Sequence, residues 1–151
     1  MIPRIGRPPP SGLAHRRRPG AYAILARGDR LLLTMQQTEA GPEVQLPGGG
    51  VDPGEHLRPA LLREVREETG YAAAIGRHVG SFRDFRWMPE YGVHAEKICH
   101  VFEGRPGPAL HPPTEPGHTA IWLRPAEAMD ALASLGNRAM LLRWLRGRGR
   151  R

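Results

Sequence analysis

The sequence predicts an α+β fold in which a mixed β-sheet lies between helices. Two observations carry this. Strand-like and helix-like runs are mixed along the chain without a regular βαβ repeat, and a helical pattern from about Leu57 to Thr69 follows a Gly- and Pro-rich loop. A chain of 151 residues is long enough to close one hydrophobic core and too short for two of ordinary size.

The first segment, residues 1–19, contains "RPPPSG" and "HRRRPG" and reads as a flexible basic arm. Residues 20–146 form the expected domain, and 147–151 a basic C-terminal tail. The runs "AYAILAR" and "RLLLTMQQ" flank "GD", a hairpin signal. "TEAGPE" reads as a loop and "VQLPGGG" as a short strand entering the glycines. In the helix that follows, Leu61, Leu62, Val65 and Thr69 are placed on the apolar side. Pro59 falls in the first turn, where its missing N–H breaks no helical bond, and Gly70 is a natural stop. "HVGSFRDFRW" and "HAEKICHVFEG" predict two longer strands. "RPGPALHPPTEPGH" predicts a loop of functional length before a strand at "AIWL". The end of the chain predicts one or two helices, with Leu141, Leu142 and Leu145 as core stripe.

Net charge is +7, but its distribution weakens a nucleic-acid reading. Residues 1–20 hold five arginines and 143–151 five more, with no acid in either segment. Between them 12 basic residues face all 15 acids, a net of −3, so the domain body is mildly acidic and the basic character is terminal. Lys97 is the single lysine among 22 basic residues. No apolar run is long enough to span a bilayer and the N-terminus has no signal-like apolar region, which leads to the expectation of a cytoplasmic protein. Cys99 is the one cysteine, so no intrachain disulfide forms, and its setting in "KICHVF" reads as a buried structural thiol.

Glu64, Glu67 and Glu68 stand at i, i+3 and i+4, so in a helix they share one face, and like charges at that spacing repel. A cation should offset the repulsion. Arg63 and Arg66 could do so as surface partners, and from "REVREE" alone that is the favoured reading. Alternatively the carboxylates, with backbone carbonyls of the preceding loop, make a hard oxygen donor set suited to Mg²⁺ or Mn²⁺. Gly48, Gly49 and Gly50 let the main chain approach an ion or a phosphate closely.

The whole stretch resembles the signature of the Nudix hydrolases from end to end. Gly49 is followed after five residues by Glu55, then after seven by Arg63 and Glu64; Val65, Glu67, Glu68, Gly70 and Tyr71 complete the pattern. Tyr71 is the one departure, standing where the family usually has an aliphatic residue. The resemblance covers about 23 residues and implies the family's α/β/α sandwich. It implies Glu64, Glu67 and Glu68 as divalent-metal ligands with the Gly48 carbonyl as a fourth. Arg63 would orient a carboxylate, Glu55 would brace the loop, and Gly49 and Gly70 would shape the motif. The reaction implied is hydrolysis of a nucleoside diphosphate linked to another moiety. Its general base would be Glu64 or a glutamate of a later loop, for which Glu115, near His118, is the candidate.

The substrate expected first is a nucleoside triphosphate or a damaged nucleotide. Nucleotide sugars, dinucleoside polyphosphates and RNA 5′ ends stay open, as does a non-catalytic domain of the same fold that binds a nucleotide or nucleic acid. Phe82, Phe85, Trp87 and Tyr91 cluster between two predicted strands and read as core before base pocket. The partner expected is a small nucleotide rather than nucleic acid, with no membrane contact; oligomeric state is undetermined, a homodimer included.

Overall fold

A computed structural model describes residues 1–149. The elements run β1 (Arg16–Arg27), β2 (Arg30–Thr38), β3 (Gly41–Gln45), β4 (Gly48–Gly50), α1 (Leu57–Thr69), β5 (Tyr71–Met88), β6 (Val93–Ala109), β7 (His118–Leu123), α2 (Pro125–Ala131) and α3 (Leu135–Arg148). Seven strands form one sheet in the order β3-β2-β1-β6-β5, with β4 paired to β1 and β7 to β2. Only the central β1–β6 pair is parallel, so the sheet is mixed.

Alternation along β1 sets the layers. Ala21, Ala23 and Leu25 point to the side where Leu61 and Val65 of α1 pack, together with Leu32 and Phe102. Ile24 points to the other side, where Leu132, Met140, Leu141 and Trp144 close over Phe82, Cys99 and Val101. Helices therefore cover both faces, giving the expected α/β/α sandwich.

The strands reach further than their propensities suggest. The stretch "YAAAIGR" belongs to β5, and "RPGPA" belongs to β6 although it reads as loop. The β1 ladder ends at Leu25–Gly104, so beyond Gly104 strand β6 pairs only with β5. Its prolines can thus turn their donor-less nitrogens away from the ladder, as Pro does on an edge. Likewise Gly41–Gln45, half of which reads as loop, forms a hairpin with β2. Both core stripes also shift. Leu62 and Leu142 are exposed, at 37% and 38%, while Asn137, Met140, Leu141 and Trp144 make the buried side of α3 at the helical period.

At the termini, β1 begins at Arg16, four residues before the expected domain boundary. The arm before it is not free of the body. The N–H of Ile5 donates to the carbonyl of Arg83, the N–H of Arg83 donates to that of Pro3, and Ile5 packs on the core. Gly147 and Arg148 of the expected basic tail end α3, and Arg150 and Arg151 lie outside the described residues. Among the described residues no helix is long and apolar enough to cross a membrane.

Candidate active site

Helix α1 carries Glu64 and Glu68 into the lining of a cleft, while Glu67 lies outside that lining on Arg63. The helix stops at Gly70, whose φ of 78° suits glycine and whose N–H donates to the carbonyl of Arg66. A side chain at Gly70 would also strike the backbone carbonyl of His111, so the β6–β7 loop is drawn against the end of α1. Two more bonds fix that loop: the N–H groups of Thr114 and Glu115 both donate to the carbonyl of Glu67 at 2.8 Å. Separations of 47 and 48 residues in sequence thus close to a pair of hydrogen bonds, and Glu115 lines the same cleft as Glu64 and Glu68.

Glu68 is the deepest carboxylate, 6% exposed. Its Oε1 accepts the N–H of Gly48 at 2.9 Å, and its Oε2 lies 3.8 Å from Nε2 of His118. No arginine or lysine pairs with it among the described residues. Burial pushes its pKa up to about 9, against the Gly48 hydrogen bond, and the charges of Glu64, Glu115 and Glu67 add to the rise. Burial also lowers the pKa of His118, whose Nδ1 lies 2.8 Å from the Thr34 hydroxyl, so the Glu68–His118 contact joins two neutral groups at pH 7. Glu64 is raised as well, first by burial, with Arg63 opposing and Glu67 and Glu115 reinforcing.

Arg63 is the organiser of the outer carboxylates. Its guanidinium reaches Glu55 at 3.0 and 3.1 Å, Glu64 at 3.2 Å and Glu67 at 3.2 and 3.3 Å. These bonds raise its own pKa and hold Glu55 below the usual carboxylate range. Glu55 also accepts the N–H of Asp52 at 2.9 Å, so one carboxylate ties the loop before α1 to the helix. Gly49 sits directly against the Glu64 carboxylate: a Cβ there would come within 2.8 Å of Cδ.

The donor set suits a hard divalent cation. Glu64 and Glu68 face a cleft of about 480 Å³ beside Gly48, Gly49 and Gly50, and burial is the first cause of the raised pKa of each. Among the described residues no three acidic, imidazole or thiol side chains yet converge as a cage, because Arg63 draws Glu64 and Glu67 to itself.

The sequence model of the NUDIX domain matches residues 16–145. The chain belongs to the Nudix family. It is 37% identical over 71 residues to the putative 8-oxo-dGTP diphosphatase of Bacillus subtilis, which is 47% of each chain. It is 35% identical over 74 residues to an RNA pyrophosphohydrolase of Novosphingobium aromaticivorans, 49% of this chain and 46% of that one. It thus spans about half the length of these curated relatives. A Nudix hydrolase structure from Nitrosomonas europaea superposes with a TM-score of 0.73 at 19% identity, over 87% of this chain and 90% of that one, which shows the shared fold.

Away from the Nudix motif, the cleft is built from residues that local pattern does not single out. Tyr22, Gln36, Gln45, Lys97 and Asn137 line it together with Trp87 and Tyr91. Of the four aromatics read as core, only Phe82 is, at 2% exposure; Trp87 and Tyr91 are 51% and 55% exposed on the cleft, and Phe85 is half-buried against His15. Strand alternation could have found part of this set, since Phe82, Asp84 and Arg86 share a face of β5. Cys99 is a buried residue in the lining of the same cleft, and burial pushes its thiol up to about 11, consistent with a structural role.

Proposed function

We propose that this Nudix protein hydrolyses a pyrophosphate linkage in a nucleoside diphosphate joined to another moiety, with a nucleoside triphosphate or damaged nucleotide as substrate. Mg²⁺ or Mn²⁺ is its ion and the cytoplasm its compartment. The carrying observation is that Glu64, Glu68 and the backbone-clamped Glu115 border one cleft with the Gly48–Gly50 backbone and exposed aromatics. The B. subtilis relative named for 8-oxo-dGTP supports the substrate class.

In this reading Glu64, Glu67 and Glu68, with the main chain at Gly48, hold the ion. When bound, it supplies charge neutralisation of the phosphate oxygens and acidification of a water. The small Gly49 and Gly50 leave room for the phosphates beside the carboxylates. Arg63, anchored on Glu55, keeps α1 and its loop in register. Glu115 accepts the proton of the attacking water, its backbone fixed on Glu67 while its side chain stays exposed at the cleft. Trp87 and Tyr91 offer ring faces for a base, and Gln36, Gln45 and Asn137 offer amides for its edges.

Turnover of a panel of nucleoside triphosphates, oxidised nucleotides, nucleotide sugars, dinucleoside polyphosphates and 5′-triphosphorylated RNA, each with Mg²⁺ and Mn²⁺, tests this. A clear kcat/KM preference for a mononucleotide is the expected result. Preference for RNA would move the substrate class toward that of the Novosphingobium relative, and binding without turnover would make the protein a nucleotide-binding domain.

A further inference from the structure

We propose that Lys97 is a substrate-binding residue, the ammonium that contacts a phosphoryl group in the cleft. This deepens the reading above and rests on it. Lys97 is the single lysine of a chain that otherwise uses arginine for its basic residues. It lies on β6 among the cleft-lining residues that include Gly48, Gly49, Gly50, Glu64 and Glu68.

Its surroundings leave its charge unmatched by any carboxylate. Asp84 stands opposite it across the β5–β6 ladder, but the Asp84 carboxylate is held by Arg86 at 2.8 Å. Among the described residues Lys97 makes no ion pair with an acid. What it does contact is Tyr22, with Nζ 5.5 Å from the ring centroid and the phenol as a side-chain hydrogen-bond partner. Burial raises the phenol of Tyr22, so it is neutral at pH 7 and cannot serve as counter-ion. Tyr22 in turn pairs with Gly48 across β1–β4, and Gly48 donates to Glu68. A half-buried cation is therefore linked through one aromatic ring to the backbone beside the deepest carboxylate.

A desolvated ammonium without a carboxylate is costly to keep, and a phosphate oxygen delivered by substrate would satisfy it. Of the other two cations on the cleft, Arg86 is held by Asp84, while Arg18, like Lys97, meets an aromatic ring, 4.3 Å from the Tyr91 centroid. A purely structural Lys97 would do no more than cover the Tyr22 ring.

The test compares wild type with Lys97→Met and Lys97→Arg, using inorganic pyrophosphate with Mg²⁺ as calorimetric probe and the preferred nucleotide of the panel as substrate. We expect Lys97→Met to weaken pyrophosphate binding by about tenfold or more, the scale of one charge-assisted hydrogen bond. KM should rise by a similar factor with kcat within about threefold, and Lys97→Arg should recover most of the loss. Unchanged pyrophosphate affinity and KM in Lys97→Met, with a lowered Tm, would overturn the proposal and leave the ring-covering role. So would a wild type that binds no pyrophosphate. Should Lys97→Met not fold, Lys97→Gln and Lys97→Arg carry the comparison. If wild type turns over no nucleotide while Lys97→Met still loses pyrophosphate affinity, the Lys97 assignment stands and the hydrolase reading falls.

Discussion

Gly49 and Glu64 are in direct contact, and a Cβ on Gly49 would lie 2.8 Å from Cδ and 2.9 Å from Oε2 of the glutamate. The obstructed atoms are the free end of a flexible side chain, so Gly49→Ala should displace the carboxylate rather than the fold. We expect kcat to fall by about 10² with Tm shifted by no more than a few degrees. Gly48→Ala differs in kind. Gly48 has φ 146°, and its Cβ would strike the carbonyl of Ala21 and approach the Cα of Tyr22 to 2.7 Å, both backbone atoms. That variant should lose stability, about 2 kcal/mol or more. Thermal melts of the two beside their kinetics check the contrast.

Glu115 and Glu64 are the rival bases. If Glu115 takes the proton, Glu115→Gln should lower kcat by about 10² to 10⁴ with little change in metal affinity. Its backbone bonds to Glu67 do not depend on the side chain, so the loop should stay docked. Glu64→Gln should impair both kcat and metal binding. Near-normal kcat in Glu115→Gln across the pH range would return the role to Glu64.

The buried Glu68 gives the metal-free protein a pH signature. Its folded pKa of about 9 lies above the ordinary 4.5, so between those values the native state binds more protons than the unfolded one. Stability must then fall as pH rises through that window. In EDTA the Tm of wild type should decline from pH 5 to pH 9 more than that of Glu68→Gln, which cannot ionise there. The same variant should have no measurable turnover with Mg²⁺. Parallel pH–Tm curves would show that Glu68 has the same pKa in the folded and the unfolded protein.

The N-terminal arm offers a graded truncation. Removing residues 1–14 takes away Ile5 and the bonds to Arg83 but spares β1, whose first residue is Arg16. It should cost about 1–2 kcal/mol from lost apolar burial, while kcat on a mononucleotide changes less than about twofold. Removing residues 1–18 also deletes the pairs of Arg16, Arg17 and Arg18 with Ala95, Glu96 and Lys97, and should cost distinctly more stability. Equal melting temperatures for both truncations and wild type would show that the arm contributes nothing.

What the sequence determined by itself was whatever depends on residues close in the chain. Glu64, Glu67 and Glu68 share a helix face by the 3.6-residue period, Gly70 ends that helix, and the spacing of Gly49, Glu55, Arg63 and Glu64 names the family. Three decisions belonged to the tertiary structure because they depend on how the chain folds back on itself rather than on a local period. The β6–β7 loop is bonded to the end of α1, which places Glu115 beside the helix glutamates. Arg63 reaches Glu55 in addition to its helix neighbours Glu64 and Glu67 because the loop before α1 folds back onto it. Lys97 and Tyr22 become cleft residues only when β1 and β6 pair in parallel beside β4, since strand alternation assigns a side chain to a face but not the face to a function.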